Sequence, residues 1–448
     1  MGAHTAHRPR PAAVALALLA AANAAAVAFL WLRAGGITDV HEGSTLLTSA
    51  GRLAGLLGAY SALVQVLLLG RIPVLDRLIG FDRLTAWHRR NGQACLLLLL
   101  AHAVLIVAGY TLGDAISLWE EIARLVTGYP GVITAIAALA LLVAVTVSSA
   151  VAVRRRLRYE TWWFVHLYAY LAIALAFSHQ IATGTAFVGD ADARAYWTAL
   201  YVVVLGALVL FRIAVPAVRS AWHGLRVERV VEEAPGVVSL EIGGRHLERL
   251  RARSGQFLLW RFLTRDRWWE AHPFSLSAAP DGRRLRITVK SLGDFTARLG
   301  TIRPGTRVIV EGPFGGFTTA ARRRPRVAQI AGGVGITPIR ALLEDMPGRP
   351  GDIDVIYRAL SDGDVILRAE LEELARRRGT RLHYVLGDHA DPSAGELLSP
   401  EHLRRLVPDI AARDVYVCGP PAMAEATRAS LLAAAVPRRQ IVTERFAL

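Results

Sequence analysis

Four histidines stand within or beside long apolar stretches of this chain, and their spacing is the first sign of chemistry. His88 and His102 are fourteen residues apart in one stretch, and His166 and His179 are thirteen apart in another. Ionisable side chains are costly inside a membrane span and are kept there chiefly for function. On helices rising 1.5 Å per residue the two pairs are separated by about 21 Å and about 19.5 Å along the axis. If both segments cross a bilayer in the same direction, His88 lies level with His166 and His102 with His179. Two imidazoles at one depth on neighbouring helices can take both axial positions of a haem iron, so two levels would carry two b-type haems. Interhelical hydrogen bonding is the plain alternative, and it accounts for one such histidine better than for four at matched depths. The phases agree less well than the depths. A step of fourteen returns to within about 40° of the same face, whereas a step of thirteen misses by about 140°. Either the second histidine helix is distorted or its two imidazoles leave on different sides.

The elements that must hold these histidines follow from composition. Hydrophobic residues make up 53% of the 448-residue chain and charged residues 20%, with a mean hydropathy of +0.35. The apolar excess is confined to residues up to about Ser220. Six segments there approach the ~20 residues that a bilayer core requires: Pro11–Leu32, Leu46–Leu69, Gly92–Tyr110, Val132–Val153, Trp162–Ile181 and Tyr196–Val215. Ala22-Asn23-Ala24 in the first resembles a signal-peptide cleavage site, but the apolar run is longer than the usual 7–15 residues of such a peptide, which favours a retained helix. Arginines collect before the first segment (Arg8, Arg10), between the second and third (Arg71, Arg77, Arg83, Arg89, Arg90) and between the fourth and fifth (Arg154, Arg155, Arg156, Arg158). The remaining loops are acidic or balanced. The positive-inside rule then predicts a multi-pass protein of the cell membrane, with the N-terminus and the C-terminal half both cytoplasmic. The net charge of +15 is thus a topology signal, and without a recognised binding motif it argues against nucleic acid as a partner. Two cysteines, Cys95 and Cys418, are too few for a cysteine-ligated iron–sulfur cluster.

Beyond the spans, short β-rich runs at Val237–Ile242, Gln256–Leu263, Pro273–Ser277, Leu285–Leu292 and Arg307–Glu311 predict a small antiparallel barrel. From about Arg326 strands and helices alternate, which predicts a doubly wound parallel sheet. Two loops in this half could hold phosphate. Gly332-Gly333-Val334-Gly335-Ile336-Thr337-Pro338 follows an apolar strand and opens a helix, so its backbone could approach a diphosphate. Lys290-Ser291-Leu292-Gly293-Asp294-Phe295-Thr296 carries a strand into a helix start and could do the same. Arg358 ends the second strand of the sheet. A guanidinium there favours a 2′-phosphate and hence NADPH over NADH.

Together these stretches resemble the ferric reductase and NADPH oxidase superfamily, from about Leu46 to Leu448. The resemblance rests on two histidines on each of spans three and five, on His272-Pro273-Phe274-Ser275-Leu276-Ser277, and on the glycine-rich loop with Val417-Cys418-Gly419-Pro420 downstream. It implies a six-helix bis-haem membrane domain over 1–220, an FAD-binding β-barrel domain over 221–320 and an NAD(P)-binding α/β domain over 321–448. Ser275 would then hydrogen-bond the flavin, with His272, Pro273, Phe274 and Ser277 lining it. Lys290, Gly293 and Thr296 would serve the FAD diphosphate. Gly332, Gly333, Gly335, Thr337, Pro338, Gly419 and Pro420 would hold the dinucleotide, with Cys418 beside the nicotinamide and Phe446 stacked on the flavin. His88, His102, His166 and His179 would be the haem ligands. The expectation is transmembrane electron transfer from NAD(P)H through FAD and two haems to a ferric chelate or dioxygen. The alternative is an electron-delivery subunit serving a periplasmic or extracellular partner protein.

Overall fold

The computed structural model describes residues 11–150, 153, 157, 159–184, 189–266, 268–388 and 397–445. The orienting arginines Arg8, Arg10, Arg154, Arg155, Arg156 and Arg158, and the aromatic Phe446, lie outside the described residues. The chain divides into two compact units at Ala214/Val215.

Among the described residues, six helices of the first unit are long and apolar enough to cross a membrane. They are α1 (Pro11–Arg33), α2 (Gly43–Leu68), α4 (Phe81–Asp114), α6 (Val132–Ser149), α7 (Tyr159–Thr183) and α8 (Ala191–Val209), the last followed by a π turn over Leu210–Ala214. Their Leu, Ala and Val runs favour helix and place apolar surface toward lipid. Two short helices were not legible in hydropathy, α3 (Pro73–Leu78) and α5 (Leu118–Gly128). Ser117 and Glu120 form a capping box that starts α5, satisfying amides that would otherwise lack partners. Leu125 and Glu121 are buried on its inner side, and Trp119 is 77% exposed on the other.

The packing of α2 on α4 sets the positions of two histidines. A Cβ on Gly55 would lie 2.6 Å from the His102 ring, and one on Gly58 would lie 2.7 Å from Leu99. Small residues let membrane helices approach this closely. Polar contacts continue the seam: Ser61 donates to Asn91 Oδ1 at 2.9 Å, Asn91 to Gln65 Oε1 at 2.8 Å, and Gln65 to the His88 carbonyl at 2.9 Å. Helix α1 is tied in as well. Tyr60 donates to the Ala20 carbonyl, and Tyr196 donates to Asn23 in the middle of α1.

The second unit begins with α9 (Val215–His223), and its described residues form three sheets. Strands β1 (Arg226–Ala234), β2 (Val237–Gly243) and β5 (Arg284–Lys290) form one antiparallel sheet, and β4 (His272–Ser275), β3 (Phe257–Phe262) and β6 (Val308–Phe314) another. Isolated bridges Arg226–Arg307 and Leu276–Ile287 join the two. They share one core that includes Leu240, Ile242, Trp260 and Ile287. Strand β1 was not anticipated, because its Arg-Val-Glu-Arg-Val-Val-Glu-Glu run carries more charge than a half-buried strand usually does.

The third sheet is parallel, in the order β11 (Ile441–Arg445), β10 (Asp414–Gly419), β7 (Val327–Gly332), β8 (Ile353–Ala359), β9 (Arg381–Leu386). Separate apolar clusters cover its two faces. Helices α11 (Ile336–Asp345) and α12 (Arg368–Arg378) contribute to one, and α13 (Pro400–Leu406) and α14 (Pro421–Ala433) to the other. Strand order reverses between β7 and β10, which is where open α/β sheets bind ligands beyond their carboxyl ends.

Candidate functional site

In the membrane unit the rings of His88 on α4 and His166 on α7 have centroids 6.0 Å apart and are inclined at 48°. Two imidazoles bound to one metal at about 2 Å per bond place their centroids about 6 Å apart. The Nδ1 atoms have hydrogen-bond partners. His88 Nδ1 lies 3.2 Å from the Gln65 carbonyl and His102 Nδ1 lies 2.8 Å from the Gly51 carbonyl. His166 Nδ1 lies 3.3 Å from Ser149 Oγ, and His179 Nδ1 lies 3.1 Å from Thr183 Oγ1. Engaging one ring nitrogen orients the imidazole and presents the other, Nε2, as a ligand. Among the described residues no Nε2 of these four has a hydrogen-bond partner. The donor set therefore fits axial ligation. His102 and His179 lie close enough to interact electrostatically. Helix α7 is α-helical from Tyr159 to Thr183, so a step of thirteen residues turns His179 about 140° around the axis from His166. Of the anchors, only Thr183, four residues beyond His179, carried a sequence signal.

In the second unit the flavin-type motif spans β4 and the turn after it. Ser275 is buried, and among the described residues its hydroxyl has no hydrogen-bond partner. An orphaned buried hydroxyl costs about 1–3 kcal/mol, so its presence fits a bound group that accepts or donates there. His272 stacks on Phe295 at 3.7 Å and lies 3.2 Å from Glu270, and Phe274 is aligned with both rings. Pro273 is exposed. Ser277 turns the other way. Its hydroxyl accepts from Arg286 at 3.1 Å and Thr288 at 2.8 Å inside the sheet core, which commits it to structure.

The second phosphate-type loop is tighter than expected. Its helix, α10 (Asp294–Ala297), is a single turn. Thr296 Oγ1 accepts from the amides of Leu292 and Gly293 and donates to the Gly293 carbonyl, so hydroxyl and amides close the turn on itself. Lys290 Nζ pairs with Asp364 at 3.2 Å.

The glycine-rich loop sits where β7 and β10 diverge. A Cβ on Gly335 would collide with the Cys418 carbonyl, and one on Gly332 with Met423. Gly333 has φ +51 and open space beyond it, the geometry of a backbone that a ligand can approach. Thr337 and Pro338 are buried in the start of α11, with Thr337 donating to the Val334 carbonyl at 3.0 Å. A residue not singled out in the sequence braces the loop: buried Tyr357 donates to the Gly333 carbonyl at 3.1 Å and accepts from the Ile366 amide at 3.3 Å. Register sets Arg358 beside Gly332 and Cys418 beside Ala331. Arg358 donates to the carbonyls of Ala359 and Val385. Cys418 is fully buried, and burial, reinforced by Glu444, pushes its thiol well above its ordinary pKa. It is a neutral packing group rather than a thiolate. Gly419 and Pro420 lead from β10 into α14 and press on Gly332.

An ion network joins the two halves of this unit. Arg286 on β5 holds Glu370 on α12 through two bonds of 2.7 and 2.8 Å, and Arg340 on α11 reaches the same carboxylate at 2.9 Å. Arg340 also pairs with Glu344, which accepts from the Ala279 amide at 2.7 Å.

Six membrane-capable helices followed by a two-part module with a diphosphate-type loop define a multi-pass oxidoreductase of the flavin and nicotinamide class. Residues 54–177 match the family described as ferric reductase like transmembrane component, 235–318 an FAD-binding domain, and 329–429 an oxidoreductase NAD-binding domain. The chain thus carries a ferric reductase-like transmembrane component followed by FAD-binding and NAD-binding domains. NADH-cytochrome b5 reductase 1 of Laccaria bicolor is 30% identical over 169 residues, which are 36% of this chain and 54% of that protein. The same-named protein of Coccidioides immitis is 30% identical over 167 residues, 34% of this chain and 54% of its own. The chain spans about half the length of the curated relatives it matches. The FAD/NAD-binding domain of nitric oxide dioxygenase from Vibrio cholerae covers 50% of this chain and 98% of itself at 22% identity, with a TM-score of 0.40.

Proposed function

We propose that the chain carries electrons from cytoplasmic NAD(P)H, through FAD on the second unit and two b-type haems in the first, to an acceptor on the far side of the membrane. Six crossings return the chain to the side of the arginine-rich loops, which the positive-inside rule makes cytoplasmic. FAD supplies the conversion from a two-electron donor to one-electron carriers. The chain's own groups position and insulate. Gly333 and its neighbours would hold the dinucleotide diphosphate, with Tyr357 keeping that backbone turned outward. Arg358 would meet the adenosine ribose and favour NADPH. Cys418 would fill the space beside the nicotinamide without ionising. Ser275 would hydrogen-bond the flavin, with His272 and Phe274 alongside. His88 with His166, and His102 with His179, would hold the inner and outer haems.

The observation that carries this reading is the state of the four imidazoles, each anchored at Nδ1 and, among the described residues, without a hydrogen-bond partner at Nε2, with the His88 and His166 ring centroids 6.0 Å apart. Haem content and anaerobic NADPH reduction spectra of four alanine variants test it. His102→Ala and His179→Ala should keep inner-haem reduction and lose transfer to an external acceptor. His88→Ala and His166→Ala should stop electrons one step earlier, leaving the outer haem oxidised. A His102→Ala protein that blocks inner-haem reduction, beside a His88→Ala protein that spares it, would overturn the depth assignment.

A further inference from the structure

The geometry points to Ser149 and Trp162 as a relay that fixes the ring hydrogen of His166 and, through it, tunes the inner haem. This rests on the proposed haem ligation and deepens it, giving positioning roles to two residues that are not themselves ligands.

Helix α6 ends at Ser149, and α7 carries Trp162 and His166 near its start. Residues four apart share one face of a helix, and the Trp162 and His166 rings lie there with centroids 5.1 Å apart, inclined at 33°. Both direct a ring nitrogen at the same oxygen of the neighbouring helix. Trp162 Nε1 donates to Ser149 Oγ at 3.1 Å, and His166 Nδ1 lies 3.3 Å from that atom. Ser149 Oγ in turn donates to the Val145 carbonyl, one turn back on α6, at 2.7 Å.

These contacts place the hydrogens. A hydroxyl has one hydrogen and two lone pairs, an indole N–H only donates, and a carbonyl only accepts. The Ser149 hydrogen goes to Val145, one lone pair takes the Trp162 N–H, and the other is left to accept. His166 Nδ1 is therefore the donor, which leaves the free lone pair on Nε2, where an iron would bind.

The other three anchors are built differently. His88 and His102 face the carbonyls of Gln65 and Gly51, which belong to the main chain. Thr183 lies on the same helix as His179 and donates back to the His179 carbonyl at 2.9 Å. Among the described residues, Ser149 alone anchors an imidazole by a side chain from another helix, and its oxygen is shared with a second donor. A hydroxyl oxygen already receiving an N–H is a weaker acceptor than an amide carbonyl. A stronger acceptor at Nδ1 makes the imidazole more basic and favours ferric over ferrous iron. At the inner level His88 thus has the strong bond and His166 a moderated one. The inner haem is thereby easier to reduce than two carbonyl anchors would make it. Trp162 is the moderator, because its N–H draws density from the oxygen that His166 uses.

The test is an anaerobic spectroelectrochemical titration of the full chain, with its haems, in lipid nanodiscs. The outer haem serves as internal reference, since its anchors at Gly51 and Thr183 are untouched, and a His102→Ala protein assigns the inner component. Ser149→Ala removes the acceptor. It should shift the one-electron equilibrium between the haems at least threefold toward reduced inner haem, about 28 mV at about 59 mV per decade. Trp162→Phe keeps a ring over His166 but removes the competing N–H, and should shift the equilibrium the opposite way. Ser149→Thr keeps the hydroxyl and should restore the wild-type value. If Ser149→Ala fails to retain the inner haem, the direction of the shift in Trp162→Phe decides. An unchanged inner potential in Ser149→Ala, shifts of one sign in Ser149→Ala and Trp162→Phe, or equal movement of the outer haem would each overturn the relay alone. A wild-type protein without two bis-imidazole haems would overturn the electron path and the relay with it.

Discussion

Replacing Glu370 by Gln asks how far one carboxylate holds the flavin and nucleotide halves of the second unit together. Two guanidiniums converge on it, Arg286 from β5 and Arg340 from α11, with side chains only 13% and 9% exposed. Removing the charge leaves them adjacent, with Glu344 as the remaining anion. Breaking a buried ion pair costs about 3–5 kcal/mol. Glu370 is itself 34% exposed, so solvent relieves part of this, and about 2–3 kcal/mol is expected. At about 2–4 °C per kcal/mol for a unit of this size, thermal release of FAD from the full chain should shift down by about 4–12 °C. Burial alone would raise the Glu370 pKa, but the bonds from Arg286 and the charges of Arg286 and Arg340 outweigh it and the net shift is downward. A carboxyl with a depressed folded-state pKa contributes stability above its unfolded pKa and loses it as pH falls through the folded value. The gap between wild type and Glu370→Gln should therefore be constant near neutrality and close below about pH 4.5. Because the network sets the approach of the two halves, hydride transfer to the flavin should slow as well. A shift below 1 °C, or a gap that persists at acid pH, would refute the reasoning.

Three further outcomes follow from the nucleotide loop. Tyr357→Phe removes the hydroxyl bridging Gly333 and Ile366, so KM for NAD(P)H should rise about fivefold, worth about 1 kcal/mol, with kcat nearly unchanged; an unchanged KM would remove Tyr357 from loop positioning. Gly335→Ala puts a methyl into the Cys418 carbonyl and should abolish dinucleotide binding or destabilise the centre of the parallel sheet, measured by fluorescence titration alongside thermal unfolding. Arg358→Ala should cost about 1.5–3 kcal/mol of NADPH binding and leave NADH nearly unaffected; an unaltered NADPH/NADH ratio would show that its bonds to Ala359 and Val385 are its whole role.

The sequence made the spans, the strand–helix alternation and the glycine-rich loop legible because each depends on local periodicity or backbone freedom. Helix α12 occupies Arg368–Arg378 within that alternation. Residues defined by partners were not legible. Nothing local marks Ser149 as an anchor for His166 seventeen residues later, or Tyr357 as a brace for Gly333. Ser277 belongs to a motif associated with flavin, yet Arg286 and Thr288 claim its hydroxyl, and both lie on a strand whose register only the fold reveals. The charged strand β1 and the edge strand β11 were hidden for a related reason. Their pairing comes from neighbours rather than from their own composition.

One helix with no candidate ligand gauges the depth of the site. The carbonyls that anchor His88 and His102 belong to Gln65 and Gly51 of α2, fourteen residues apart on an antiparallel helix, just as the two histidines are. Helix α2 therefore works as a graduated rule laid along α4, with both marks read at once. An insertion of one residue between Gly51 and Gln65 would turn one mark by about 100° and leave the other in place. The distance between the two levels can then change only through matched insertions in both helices. A lineage accumulating changes one at a time would find that dimension nearly frozen, even while the residues facing lipid vary freely.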